Sequence, residues 1–207
     1  MDDDHAAVGR RARAKQDKHQ RILAAARELF AELGVSRVTT QQVADRADVA
    51  IGTLFRYAST KAELLIMVQN EKFAAAIQDG LAVAARTGPL GTVDSVLTLV
   101  RPVVACVREQ VENGQTYLHE LVVGDPQEPY RRAGLELSAR LEAGIAATLV
   151  RAGEVTPDDA QTLARVVSAI LHLSLTATLT ADRDLDEVLV DVRTHLRAVF
   201  DRTAPAV

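Results

Sequence analysis

The sequence predicts an all-α protein. Apolar residues recur at helical spacing, and no segment alternates apolar and polar residues as a half-buried strand would. Helix-start signatures also recur along the chain. About nine helices are expected, near residues 18–33, 40–47, 51–57, 61–86, 91–113, 115–123, 126–152, 157–181 and 185–202.

Each element has a local reason. Ile22, Leu23, Ala26, Leu29, Phe30 and Leu33 form the first stripe, and Gly34 supplies a C-terminal stop. Thr39–Gln42 opens the second helix, each side chain spaced to satisfy the other's backbone N–H. Asp48 and Val49 separate it from the third. Thr60–Glu63 opens the long fourth helix, where loss of the Thr60 cap should cost about 1 kcal/mol. Asp125–Glu128, Thr156–Asp159 and Asp184–Glu187 repeat the start signal, with Pro126 and Pro157 at first helical positions. Leu185, Val188, Leu189, Val192, Leu196 and Val199 form the last stripe.

Composition narrows the class. A chain of 207 residues suits one compact unit, or a small domain joined to a larger one. Its 48 % hydrophobic and 25 % charged residues argue against extensive disorder. A single cysteine, Cys106, excludes an intrachain disulfide and a multi-thiolate zinc site. Its neighbours Val103, Val104 and Val107 point to an inert core thiol. The N-terminus has no signal-peptide pattern. The longest uncharged run, residues 166–181, is 16 residues long and carries His172, three Thr and two Ser. That is too short and polar to span a bilayer, so a cytoplasmic protein without membrane contact is expected.

Net charge is −4, but it is unevenly distributed. Residues 10–61 hold eleven Arg/Lys against five Asp/Glu, whereas residues 62–207 hold thirteen against twenty. A basic segment in an acidic chain suggests a polyanionic partner. The first three helices are also short and the later ones long. These features predict an arm at 1–15, a small domain at 16–60 and a helical bundle at 61–207. The arm is expected to be mobile, since its acidic triplet and Arg10, Arg11 and Arg13 accompany no apolar stripe.

Residues 40–57 read as a helix-turn-helix. Val43, Ala44, Ala47, Val49 and Leu54 can pack two short helices against the helix 18–33, leaving the outer face of the second free for the major groove. Ile51, Gly52, Thr53, Arg56 and Tyr57 are its expected outward residues. They supply close approach, an apolar group for a thymine methyl and hydrogen-bonding tips. An ordinary helical hairpin with solvated polar residues is the alternative.

The run Arg21-Ile22-Leu23-Ala24-Ala25-Ala26-Arg27-Glu28-Leu29-Phe30-Ala31-Glu32-Leu33-Gly34, the segment from Thr39 to Tyr57, and Lys61-Ala62-Glu63-Leu64-Leu65 together resemble the DNA-binding domain of the TetR family of transcriptional regulators. Three positions depart from the usual pattern: Asp48 for Gly at the turn, Phe55 for Tyr, and Ala58 for Phe. Asp tolerates a left-handed conformation, so the turn should survive. The resemblance implies phosphate contacts from Thr40, Tyr57 and Lys61, and base reading from Gln41, Ile51, Thr53 and Arg56. It further implies a homodimeric repressor on a pseudo-palindromic double-stranded operator, released by a small-molecule effector bound in the second domain.

Dimerisation has separate support, because residues 163–181 are apolar nearly all round and must be covered on both sides. Arg101, Tyr117, Glu120 and His172 are candidate effector contacts within apolar helices. A DNA-binding protein without an effector is one alternative, and a helical-bundle enzyme is another. No phosphate loop, His-Glu-x-x-His pair or nucleophile elbow supports the enzyme, and no cofactor or metal is expected. The acidic cluster Asp182, Asp184, Asp186 and Glu187 reads as helix capping.

Overall fold

The computed structural model describes residues 2–88, 90–153 and 155–200, with the backbone path alone for residues 2–11 and 179. Among the described residues the chain is helical and has no strand. The helices are α1 (Asp2–Leu33), α2 (Thr40–Arg46), α3 (Ile51–Leu54), α4 (Lys61–Arg86), α5 (Thr92–Arg108), α6 (Val111–Val123), α7 (Pro129–Ala152), α8 (Pro157–Thr176) and α9 (Leu185–Phe200). They form two compact units, residues 1–68 and 69–207. This division lies inside α4 rather than at 60/61, because the first two turns of α4 pack with the first unit.

In the first unit, Ile22, Ala26 and Phe30 of α1 are buried with Val43 and Ala44 of α2 and Leu54 of α3. The predicted capping box is complete: Gln42 N donates to Thr39 Oγ1 at 3.2 Å, and Thr39 N donates to Gln42 Oε1 at 2.8 Å. Gly34 ends α1 with φ +77°, a conformation in which a Cβ would be strained. The other end of α1 departs from expectation, since the helix starts at Asp2 rather than near 18. Residues 12–18 are exposed on every face, so they carry no stripe. Their Ala, Arg, Lys and Gln are strong helix formers that need none. Met1, where the expected arm begins, lies outside the described residues.

In the second unit α5 packs against α6, α7, α8 and α9, while α8 also packs against α6, α7 and α9. Two glycines set the closest approaches. A Cβ on Gly80 would lie 2.0 Å from Leu99 O, and one on Gly114 would lie 2.0 Å from Val107 O. Gly114 lies inside α6 rather than in a break before it. The break falls at Glu109–Gln110, where the Gln110 side chain accepts from Asn113 N at 2.9 Å and caps α6. Pro129, not Pro126, starts α7, because Asp125 accepts from Gln127 N at 2.9 Å and closes a turn first. The predicted helix 157–181 stops at Thr176. There Arg108 donates to Thr180 O at 2.8 Å and Ala181 O at 3.2 Å, and also to Arg183 O, holding those carbonyls in a turn.

Gly80→Ala should lower the free energy of unfolding by about 1–3 kcal/mol, because its new methyl meets backbone that cannot yield. Gly52→Ala has nothing within 4 Å and should leave stability unchanged or raise it; the helix-propensity gain is at most about 1 kcal/mol. Urea denaturation of the two variants checks the contrast.

Candidate functional site

The turn between α2 and α3 is held in one conformation. Asp48 has φ +52°, as its tolerance of the left-handed region predicts. Arg21 of α1 donates to Asp48 Oδ2 at 3.2 Å and to Asp48 O at 3.4 Å. Arg46 of α2 pairs with Glu28 of α1 at 2.9 Å. α3 is shorter than the expected 51–57: after Leu54 the bonds tighten, with Arg56 N to Thr53 O at 3.1 Å and Tyr57 N to Leu54 O at 2.8 Å. The tightening turns the chain inward and buries Ala58 beside the equally buried Leu54.

This frame leaves a polar edge. Gln41 is exposed and donates to Asp45 Oδ1 at 2.7 Å. Gly52 is exposed, with half-buried Ile51 and Thr53 on either side of it, and half-buried Thr40 begins α2. Arg56 is exposed and donates to Thr53 Oγ1 at 3.1 Å. Tyr57 donates its hydroxyl to Lys15 O at 3.0 Å and tilts against His19, with ring centroids 5.9 Å apart. Lys61 is half-buried, and its ammonium donates to Val35 O at 2.9 Å and Val38 O at 3.1 Å. It therefore ties α4 to the α1–α2 connection and has one further N–H to offer.

Sequence reasoning missed Lys15 and Lys18. With Ala14, Arg56 and Tyr57 they line a cleft beside the α3 turn, to which the described residues contribute three cations and no carboxylate. The excess of basic residues in 10–18 was the available signal. That stretch has no apolar stripe to define a helix, so the sequence alone does not place it on the reading surface.

The second unit contains a cavity of about 260 Å³. Phe73 of α4, Val107 of α5, Leu121 of α6, Leu141 of α7 and Leu171 of α8 form apolar walls, and Ser138, Glu142, Ser168 and His172 supply the polar positions. Burial, and then the neighbouring His119, lower the pKa of His172 below the ordinary imidazole value. Of the four expected effector contacts, His172 alone lines this cavity. Tyr117 lies behind the wall, packed edge-on to Phe73 at 5.5 Å, with its hydroxyl donating to Asn70 Oδ1 at 2.9 Å. Glu120 accepts from Arg131 at 3.4 Å, and Arg131 also bonds Glu128 at 2.9 Å. Arg101 sits on the surface, 57 % exposed and paired with Asp186 at 3.1 Å.

Other polar groups are accounted for locally. Asp184 N donates to Glu187 Oε2 at 2.9 Å and Glu187 N to Asp184 Oδ1 at 2.8 Å, so the acidic cluster caps α9. Burial pushes the Cys106 thiol up to about 11 despite nearby Lys72. Among the described residues no group of three His, Cys, Asp or Glu is placed to hold a metal ion, and no helix is long and apolar enough to cross a membrane.

Lys61→Ala should destabilise the protein by about 1–3 kcal/mol, since it removes two charge-assisted bonds to part-buried carbonyls. Denaturant titration reads the loss. A change indistinguishable from zero would mean that the ammonium is solvated rather than bonded.

Comparison with known proteins agrees with this geometry. Residues 22–68 match the family described as bacterial regulatory proteins, tetR family. The transcriptional repressor KstR of Mycobacterium tuberculosis is 40 % identical over 60 residues, which cover 29 % of this chain and 27 % of that protein. The match thus spans little more than a quarter of the relative's length. Thermus thermophilus FadR, a TetR-family repressor solved with lauroyl-CoA, superposes with a TM-score of 0.69 and 26 % identity, over 91 % of this chain and 98 % of that one. Bacillus subtilis FadR, solved with stearoyl-CoA, shares the fold at a TM-score of 0.61 and 17 % identity, over 91 % and 99 % of the two chains. These proteins are regulators rather than enzymes. The helix-turn-helix built on Asp48 thus lies in a segment that matches the tetR family of bacterial regulatory proteins, and the whole chain shares the fold of TetR-family transcriptional regulators.

Proposed function

We propose that this chain is a homodimeric repressor that binds a pseudo-palindromic DNA operator and is released by a small effector. The carrying observation is the polar edge of α2 and α3 beside the cleft of Lys15, Lys18 and Arg56. In this reading Gln41, Ile51, Thr53 and Arg56 meet base edges, and Gly52 allows close approach. Thr40, Lys61, Lys15 and Lys18 meet phosphates. Tyr57 joins them by exchanging its bond to Lys15 O for a phosphate oxygen.

The proposed dimer surface is the apolar stripe of α8, where Val166 and Leu173 are 37 % and 68 % exposed, together with Val190 of α9 at 60 %. A two-fold pairing of these helices covers what one copy leaves in water. α4 carries both Lys61 and the cavity residue Phe73, so an effector that prefers one position of α4 changes operator affinity by its differential binding, typically about 1–3 kcal/mol. The cavity favours this reading over a DNA-binding protein without an effector, and the FadR structures with acyl-CoA ligands support an apolar one.

Selection from random DNA should enrich a pseudo-palindrome whose half-sites are spaced by about one turn, roughly 34–36 Å, or somewhat more. No enrichment would overturn the reading. Lys15→Ala with Lys18→Ala should weaken binding to all sequences and reduce the salt slope by about one per lost phosphate contact in each subunit. A changed base preference at constant slope would reverse their assigned role. Leu173→Asp should shift the dimer toward monomer in sedimentation, and a wild-type monomer even on DNA would reject the two-fold arrangement.

A further inference from the structure

The cavity in the second unit has a chemical character of its own. Its polar side is rich in acceptors. Ser138 has given its hydroxyl proton to Gly134 O at 3.1 Å and turns lone pairs outward. Glu142 accepts from Gln161 at 2.8 Å and keeps further acceptor capacity. His172, with its pKa lowered by burial, presents one donor and one acceptor when neutral. Ser168 has no hydrogen-bond partner among the described residues. No Lys or Arg is among the described lining residues. Arg165 lies 3.5 Å from Glu142, but its side chain is 81 % exposed and lies outside the lining.

Such a lining discriminates by charge and by donor content. A carboxylate offers acceptors alone and would face Glu142 without a compensating cation. An ammonium can bond Glu142, but it gives up its full hydration to meet a carboxylate that already accepts from Gln161. A hydroxyl donates to the acceptor-rich side and accepts from Ser168. The cavity's volume of about 260 Å³ suits an aliphatic chain of medium length.

We propose that this cavity takes an uncharged aliphatic molecule of about that size, carrying a hydrogen-bond-donating hydroxyl that faces Glu142 and Ser168. The inference rests on the effector reading above, but concerns what the cavity binds rather than what binding does to DNA.

The test is calorimetric titration of the full-length protein, at neutral pH, with octan-1-ol, octanoate and octylamine. Octanol should bind about tenfold or more tightly than either charged analogue, because octanoate is repelled by Glu142 and octylamine must shed an ammonium's full hydration. Glu142→Gln should raise octanoate affinity about fivefold or more, a gain that misfolding cannot mimic. Ser168→Phe should fill the cavity and abolish octanol binding, with circular dichroism and melting used to verify the fold. Absence of octanol binding, octanoate within about tenfold of it, or tighter binding of octylamine overturns the ligand class. Octanol binding that survives in a folded Ser168→Phe variant overturns the site. Operator release is scored separately, so octanol that binds without releasing DNA supports this inference and rejects induction by this ligand.

Discussion

Asn70 makes two bonds on which the arrangement of the larger unit depends. Its Nδ2 donates to Tyr130 O at 2.8 Å and its Oδ1 accepts from the Tyr117 hydroxyl at 2.9 Å, so one side chain of α4 holds both α6 and α7. Gly134 permits the approach, since a Cβ there would lie 2.8 Å from Asn70 Oδ1 and 2.6 Å from a Leu121 methyl. Losing the Tyr117 bond leaves the hydroxyl of a buried ring unpaired, a penalty of about 1–3 kcal/mol. These bonds lie behind Phe73 rather than across the cavity. The walls are thus fixed without side chains meeting in the space between them.

The smaller unit uses a related economy. Arg21 anchors the Asp48 turn, Arg46 pairs with Glu28, and Lys61 holds the carbonyls of Val35 and Val38. Each charged group acts on backbone or on an adjacent helix within the same unit. The frame is therefore set before any partner arrives, and ordering costs fall on the few side chains at the edge. Lys61 illustrates the compromise: its helix-start position suits an anion, yet two of its three hydrogens already serve the fold.

Much of this was legible in sequence because the signals are local. Capping pairs at Thr39, Thr60, Thr156 and Asp184 open their helices as read, and Asp48 adopts the conformation its chemistry allows. The departures arise where a distant group decides. Arg108 ends α8 from another helix, and Asp125 spends its side chain on a turn before Pro129. The cavity was not legible because Val107, Leu141 and Leu171 share the spacing of ordinary core residues. Ser138, Glu142 and Ser168 similarly resemble the polar positions of any amphipathic helix. Whether such residues meet a space or another side chain depends on packing among five helices, which no local pattern encodes.

The placement of the aromatic residues has an optical consequence. The chain has three tyrosines and no tryptophan, so its near-ultraviolet emission is not masked by indole. Tyr57 shares its hydroxyl proton with a backbone carbonyl at the polar edge, whereas Tyr117 shares its own with an amide behind the cavity wall. Phenol emission responds to hydrogen bonding at the hydroxyl. Tyr57 is the one tyrosine of the smaller unit, so its replacement by phenylalanine leaves only the emission of Tyr117 and Tyr130 in the larger unit.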